Sequence, residues 1–267
     1  LEQQLVKTYA DEILAELDDV LRDRLVIGVE PGALAVHIRR TGVKAQRRSR
    51  AARGQHRVEA AAYLRYQVDA GVLLAQRGYR VLAADCSEEM LTVAAQKCAA
   101  LEHPPFFIRQ PMQRLRLPEP VDAVFCLLDS LNYVTEPEDV RRTFRRVLQA
   151  LRPGGTFLFD INTPQKLRGL DGQVFLDENE DSYCVWRAEF DSDERICYYG
   201  IDLFRRQGKL WQRSFEQHCE YAYEPDELTA WLTEAGFVNI RQFGDRRLEA
   251  PTPQEQRIYF CAEKKEG

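Results

Sequence analysis

The seven cysteines of this chain (86, 98, 126, 184, 197, 219 and 261) contain no CxxC spacing, and the four histidines form neither HxH nor HxxxH. That excludes a zinc-type ligand set, and no metal site is predicted. The cysteines lie mostly within apolar strand or helix patterns, so they read as buried thiols of a reducing compartment and not as a disulfide framework. No apolar run reaches membrane-spanning length and no signal peptide is visible, so the expected location is cytoplasmic. Acids are absent from Pro31 to Val58, where Arg39, Arg40, Lys44, Arg47, Arg48, Arg50, Arg53 and Arg57 accumulate. Such a segment (39–57) is either a solvated arm or a nucleic-acid contact. The net charge of −5 argues against polyanion binding by the chain as a whole.

What is present is an ordinary globular composition, 45% hydrophobic and 30% charged over 267 residues. That is enough for one elaborated domain, or for a domain with a subdomain. Leu5, Val6, Tyr9, Ile13, Leu14, Leu17, Val20 and Leu21 recur at helical spacing, and a second helix is predicted over 34–41. Regular alternation begins at Gly78. Tyr79 to Ala84 reads as a buried strand that ends on Asp85, and Ser87 then opens a helix with Glu88 and Glu89 in its first turn. Further strands follow at Phe106–Ile108, Val121–Leu128 and Thr156–Ile161. A helix opened by Pro137 is stopped by Arg152-Pro-Gly-Gly155. Strands and helices alternating in this way predict a parallel sheet covered on both faces. After Pro164 the pattern becomes aromatic and β-branched, with turn-formers at 191–193 and 207–209, which predicts an antiparallel meander. A helix from Pro225, closed by Gly236, and two strands (237–243 and 257–262) finish the chain.

In open α/β sheets, ligands sit beyond the carboxyl ends of the strands. Here those ends carry Asp85-Cys86, Gln110-Pro-Met112, Leu127-Leu-Asp-Ser-Leu-Asn-Tyr133 and Asp160-Ile-Asn-Thr-Pro164. Polar residues gather where each apolar run stops, and four such loops on one rim make a site. For Asp85 alone, a solubilising role in a βα loop is the competing reading.

The stretches Gly78–Leu91, Val121–Tyr133 and Leu151–Pro164, with the Glu227–Phe237 helix-to-strand step, resemble class I S-adenosylmethionine-dependent methyltransferases, over roughly Val72 to Lys264. The similarity is closest to the small-molecule type with a late β-rich insertion. It implies an α/β, Rossmann-like fold: a mostly parallel seven-stranded sheet with helices on both faces and an antiparallel β insertion. The implied organisation is a helical and basic segment at 1–66, a cofactor domain at 67–164 and 224–267, and a lid at 165–223. The cofactor would be S-adenosylmethionine, with Asp85 on the ribose hydroxyls and Cys86 and Met90 beside the adenine. Pro111 and Met112 would sit at the adenine edge, Pro111 where the family usually carries an acid, and Leu127 beside the methionine. Asp129 and Tyr133 would be catalytic, while Asn132, Asn162 and His218 would face a small-molecule acceptor. Core packing for Tyr133 and strand placement for His218 are the competing readings. For the meander, a dimer interface competes with a lid, and the chain is expected to be a monomer or homodimer.

One expected feature is missing. Between Gly42 and Gly78 only Gly54 and Gly71 are glycines, and nothing there resembles a GxGxG turn after a strand. Val68-Asp-Ala-Gly71 is its faint echo. Three explanations stand: a diverged, catalytically silent binding module, an unusual cofactor loop, or an out-of-frame translation over 47–67. An RNA methyltransferase using the basic segment is a further alternative.

Overall fold

The computed structural model describes residues 71–267 apart from 73, 77, 78 and 246. The readings made for 1–70, the basic segment and the 47–67 stretch among them, lie outside the described residues. After a helical stretch at 71–76, β1 (Leu82–Asp85), α1 (Glu88–Cys98) and β2 (Phe106–Arg109) form the first βαβ unit. A single 3₁₀ turn (Met112–Arg114) leads to β3 (Val121–Cys126), α2 (Pro137–Ala150) and β4 (Leu151–Asn162). Next come a short helix that the sequence pattern did not show, α3 (Pro164–Gly169), and the meander: β5 (Val174–Glu178), β6 (Ser182–Asp191), β7 (Ile196–Gln207) and β8 (Leu210–Tyr221). The chain closes with α4 (Pro225–Ala235), β9 (Phe237–Phe243) and β10 (Arg257–Lys264).

The seven-stranded, mostly parallel sheet expected from the resemblance is not what the described residues form. They give six strands in two hydrogen-bonded pieces: parallel β1–β2, and the mixed sheet β3–β4–β10–β9, in which only β3 and β4 run parallel. The antiparallel pairs arise because β9 and β10 follow each other directly, whereas parallel neighbours need a crossover such as α2. The meander forms a third sheet, ordered β5–β6–β7–β8 and wholly antiparallel. Among the described residues no helix is long and apolar enough to cross a membrane.

Phenylalanines dominate the main core. Phe159 stacks on Phe157 and Phe260 with ring centroids 4.8 and 4.7 Å apart, and Phe144 lies against the first pair. Each buried ring contributes roughly 1.5–3 kcal/mol. The core positions β3 and β4 side by side, so their polar ends emerge together.

The Pro-Gly-Gly segment has a steric cause. Gly154 is left-handed (φ +73°), and a Cβ on Gly155 would lie 2.9 Å from the carbonyl oxygens of Arg152 and Asp122. This turn packs the helix-to-strand junction against the start of β3, where Arg152 also pairs with Asp122 at 2.8 Å. Gly155→Ala is therefore expected to lower stability by about 1–3 kcal/mol, read as a lower urea midpoint with an unchanged slope.

Candidate active site

Two clusters of polar residues form at the strand ends. The first surrounds Asp85. As the last residue of β1 it pairs in register with Arg109, and the Gln110 amide donates to its carbonyl at 2.8 Å. Its side chain is 3% exposed, and Oδ1 accepts the Ser87 amide at 2.7 Å. Burial pushes its pKa up to about 7, against hydrogen bonds from Ser87 and Cys86 that pull it down. The Ser87 hydroxyl caps α1 by accepting the Met90 amide at 3.2 Å, so Cys86 and Met90 lie in the turn that the acid opens. Arg109 reaches across to the Cys86 carbonyl at 3.3 Å and to Glu88 at 2.5 Å. Pro111 precedes the 3₁₀ turn on the neighbouring tip, and Met112 is fully buried in the main core.

The second cluster joins β3, β4, β10 and the end of β8. Leu127 leads into Leu128 and Asp129, two consecutive non-glycine residues in the left-handed region (φ +55° and +53°). Such backbone costs about 1–2 kcal/mol per residue and persists only when its surroundings enforce it. Here they do: the Asp129 amide donates to Asp160 Oδ2 at 3.0 Å, and the Asp129 carboxylate is fully buried against Arg257, Oδ1 to Nη2 at 2.5 Å. Arg257 also pairs with Asp160 and donates to Asn162 Oδ1 at 3.1 Å. Asp129 Oδ2 and Asp160 Oδ1 are buried without partners among the described residues.

Asn132 joins this cluster to the meander. Its amide nitrogen donates to the Asn162 and Tyr221 carbonyls, each at 3.0 Å, and its oxygen accepts the Asn162 amide at 3.0 Å. Asn162 in turn donates to Glu220 at 2.7 Å and accepts from Lys166 at 2.7 Å. His218 of β8 meets Tyr133 edge to face with ring centroids 6.1 Å apart. Burial, and then the nearby Asp129 charge, push the Glu220 pKa up to about 8. Burial likewise raises Asp160 despite Arg257, and lowers Lys166. For Arg257, the Asp160 and Asp129 charges outweigh burial, so it stays charged.

Of the residues expected at the site, Asp85, Cys86, Met90, Pro111 and Met112 thus fall at the first two strand tips. Leu127, Asp129, Asn132, Tyr133, Asn162 and His218 surround the second cluster. Gly71 stands apart: it is helical and buried, and a Cβ there would meet nothing within 4 Å among the described residues. The sequence reading missed Arg257, Asp160 as a network acid, Lys166 and Glu220. The one local signal was their position at strand ends or just past them.

A strand-tip acid opening a helix, beside polar loops on the neighbouring tips, is the arrangement of a nucleotide-type cofactor site. A methyltransferase-domain model matches residues 69–155. A protein of Geobacillus sp. (strain WCH70), named a methyltransferase, is 33% identical over 196 residues, covering 72% of this chain and 79% of its own length. The chain belongs to the class I S-adenosylmethionine-dependent methyltransferases. YqeM of Bacillus subtilis (strain 168), also named a methyltransferase, is 32% identical over 195 residues, with 72% and 78% covered. Among solved structures, an S-adenosylmethionine-dependent methyltransferase from Clostridium acetobutylicum ATCC 824 superposes with a TM-score of 0.68 at 25% identity, covering 76% of this chain and 80% of that one. The cofactor of this methyltransferase is S-adenosylmethionine, and α/β folds of this kind bind ligands beyond the carboxyl ends of their strands.

Proposed function

We propose that this methyltransferase acts on a small molecule held between the strand-end loops and the meander sheet. The observation that carries this reading is the Asn132 side chain, which bonds the acceptor-side loop of the core to the Tyr221 carbonyl of the sheet above it. A roof stapled to its floor by buried hydrogen bonds favours a compact acceptor over a polymer that must thread an open groove. In this reading residues 67–164 and 224–267 form the cofactor domain, and 165–223 the lid.

The residues present fit the cofactor. Asp85 is an acid at the end of a buried strand, held by hydrogen bonds from Ser87 and Cys86 but facing no cation among the described residues that offsets its burial, and paired ribose hydroxyls supply further donors to its carboxylate. Cys86 and Met90 would flank the adenine, with Pro111 and Met112 at its edge, Met112 through backbone alone. Leu127 would border the methionyl end, and Gly71 lies nearest in sequence to the missing glycine turn. The cofactor's sulfonium brings an already activated methyl group, so the protein has to align acceptor and methyl carbon and exclude water. His218 orients the acceptor and the Tyr133 ring steadies positive charge, while Asn132 and Asn162, buried with their side chains bonded within the seam, shape the acceptor side without touching the ligand. Asp129, whose Oδ2 has no partner, takes the proton released by a hydroxyl or ammonium acceptor.

Incubating the protein with methyl-labelled S-adenosylmethionine and a cell extract, then separating small molecules from RNA and protein, tests this. Label is expected in the small-molecule fraction. Label confined to RNA would overturn the reading in favour of an RNA methyltransferase, and calorimetric titration showing no S-adenosylmethionine binding would favour a silent scaffold.

A further inference from the structure

The last strand contributes a residue whose reach exceeds any packing role. Arg257 opens β10 opposite Asn162 in the antiparallel register, two residues from the Tyr259–Asp160 pair. From there its guanidinium meets three acceptors on two other segments: Asp129 Oδ1 at 2.5 Å, Asp160 Oδ2, and Asn162 Oδ1 at 3.1 Å. Two of these acceptors lie at the end of β4, but Asp129 lies in the turn after β3, in the left-handed pair that no glycine relieves. The same Asp160 oxygen that binds Arg257 also accepts the Asp129 amide. Both ends of the strained residue, backbone and side chain, are therefore fixed through one guanidinium–carboxylate unit. The guanidinium reaches these acceptors from two nitrogens fixed in one plane, whereas an ammonium, with its three donors on one nitrogen, would have to draw all three acceptors to a single point.

We infer that Arg257 is a positioning residue for methyl transfer: it holds the turn from Leu127 to Tyr133 in the strained shape that presents Leu127 to the cofactor and Tyr133 to the acceptor, with Asn132 anchoring the turn from behind. It acts through Asp129 and Asp160 and touches no ligand itself. This rests on the placement of the cofactor's methionyl end at Leu127 proposed above. The groups facing Arg257 are Asp129 from the turn, Asp160 and Asn162 from β4, and the Lys166 charge from α3. Glu220 of β8 lies behind Asn162 as a third acid, acting on Lys166 and facing the Asp129 charge.

The discriminating variant is Arg257→Lys in the full chain, which keeps the charge and loses the fork; Arg257→Met removes both and is expected to unfold more readily. Two readouts are compared with wild type: hydrogen exchange at the amides of residues 129–134, and calorimetric titration with S-adenosylhomocysteine. In Arg257→Lys, exchange over 129–134 is expected to quicken about tenfold or more with the rest of the chain unchanged. Affinity for S-adenosylhomocysteine is expected to fall about tenfold. Unchanged exchange over that turn overturns the inference. Faster exchange with unchanged affinity overturns it as well, because the arginine then shapes a turn that the ligand does not use. If wild type itself fails to bind S-adenosylhomocysteine, the cofactor placement falls, and with it the role assigned to Arg257, whatever the exchange shows. Failure of affinity in the variant alone points instead to the arginine.

Discussion

Asp85→Ala is expected to lower affinity for S-adenosylmethionine by about a hundredfold. Two charge-assisted hydrogen bonds to ribose hydroxyls are worth roughly 1.5 kcal/mol each at least, and about 1.4 kcal/mol is a factor of ten. The acid's environment adds a pH signature. Burial holds it at about 7 when no ligand is present, while hydroxyl donors favour the carboxylate form. Binding should therefore release protons, and affinity should rise from pH 6 to pH 8 and then level off. Calorimetry in buffers of different ionisation enthalpy reads this directly. Asp85→Asn should abolish the pH dependence.

Stability moves in the opposite direction. The folded pKa lies above the ordinary carboxylate value of 3.8, so the folded chain binds more protons than the unfolded chain between about 4 and about 7. The contribution of this group falls as pH rises through that window and is flat above it. Asp85→Asn should then stabilise the protein at pH 8, by about 2 kcal/mol, and change little at pH 4. A gain in stability paired with a loss of cofactor affinity is the behaviour of a functional acid. Affinity within about threefold of wild type in Asp85→Ala would remove this residue from the ribose.

Asp85 was legible because every cue to it is local. An apolar run, an acid and a serine cap lie within nine residues, and each has its own physical reason to be there. The same holds for α2, opened by Pro137 and stopped near Gly154–Gly155, and for the meander with its turns at 191–193 and 207–209. The second cluster was legible only in part. Asn132 and Asn162 stood out as polar residues after apolar strands, but Arg257 lies 128 residues from Asp129 and reads locally as the first residue of an ordinary edge run. Glu220 was missed for the same reason, since its pairing with Asn162 runs from the meander sheet to β4; Lys166 lies only four residues from Asn162, but in the short helix α3 that the pattern did not show. Local pattern also cannot show that Leu128 and Asp129 turn left-handed, because neither residue type demands it. The pairing within the sheet was legible only in part: strand positions follow from periodicity, but which strands become hydrogen-bonded neighbours does not.

Asn132→Leu is expected to cost about 3 kcal/mol or more, the largest stability effect at the site. The leucine is close in volume, so packing is nearly conserved and the loss comes from polar groups. The Asn162 amide and carbonyl lose their Asn132 partner in a buried seam, at roughly 1–3 kcal/mol for each group left unsatisfied, while the Tyr221 carbonyl keeps the Tyr223 amide and the Tyr221 amide keeps the Asn132 carbonyl. Thermal or urea unfolding reads the total. Limited proteolysis reads where it falls: cleavage within 174–221 should quicken more than cleavage elsewhere, because Tyr221 is where the meander sheet is held to the core. Asn132→Asp tests the donor side alone. It keeps the oxygen that accepts from Asn162 but points a second anion at two carbonyls, near Asp129 and the buried Glu220 that already resists ionisation. It should therefore be destabilised most at high pH and recover as the pH falls and the new carboxyl takes a proton. If Asn132→Leu instead unfolds like wild type and its meander resists protease equally, the sheet is held by other contacts. The proposed holding of the acceptor between the strand-end loops and the meander, and with it the preference for a small acceptor, would then lose its physical basis.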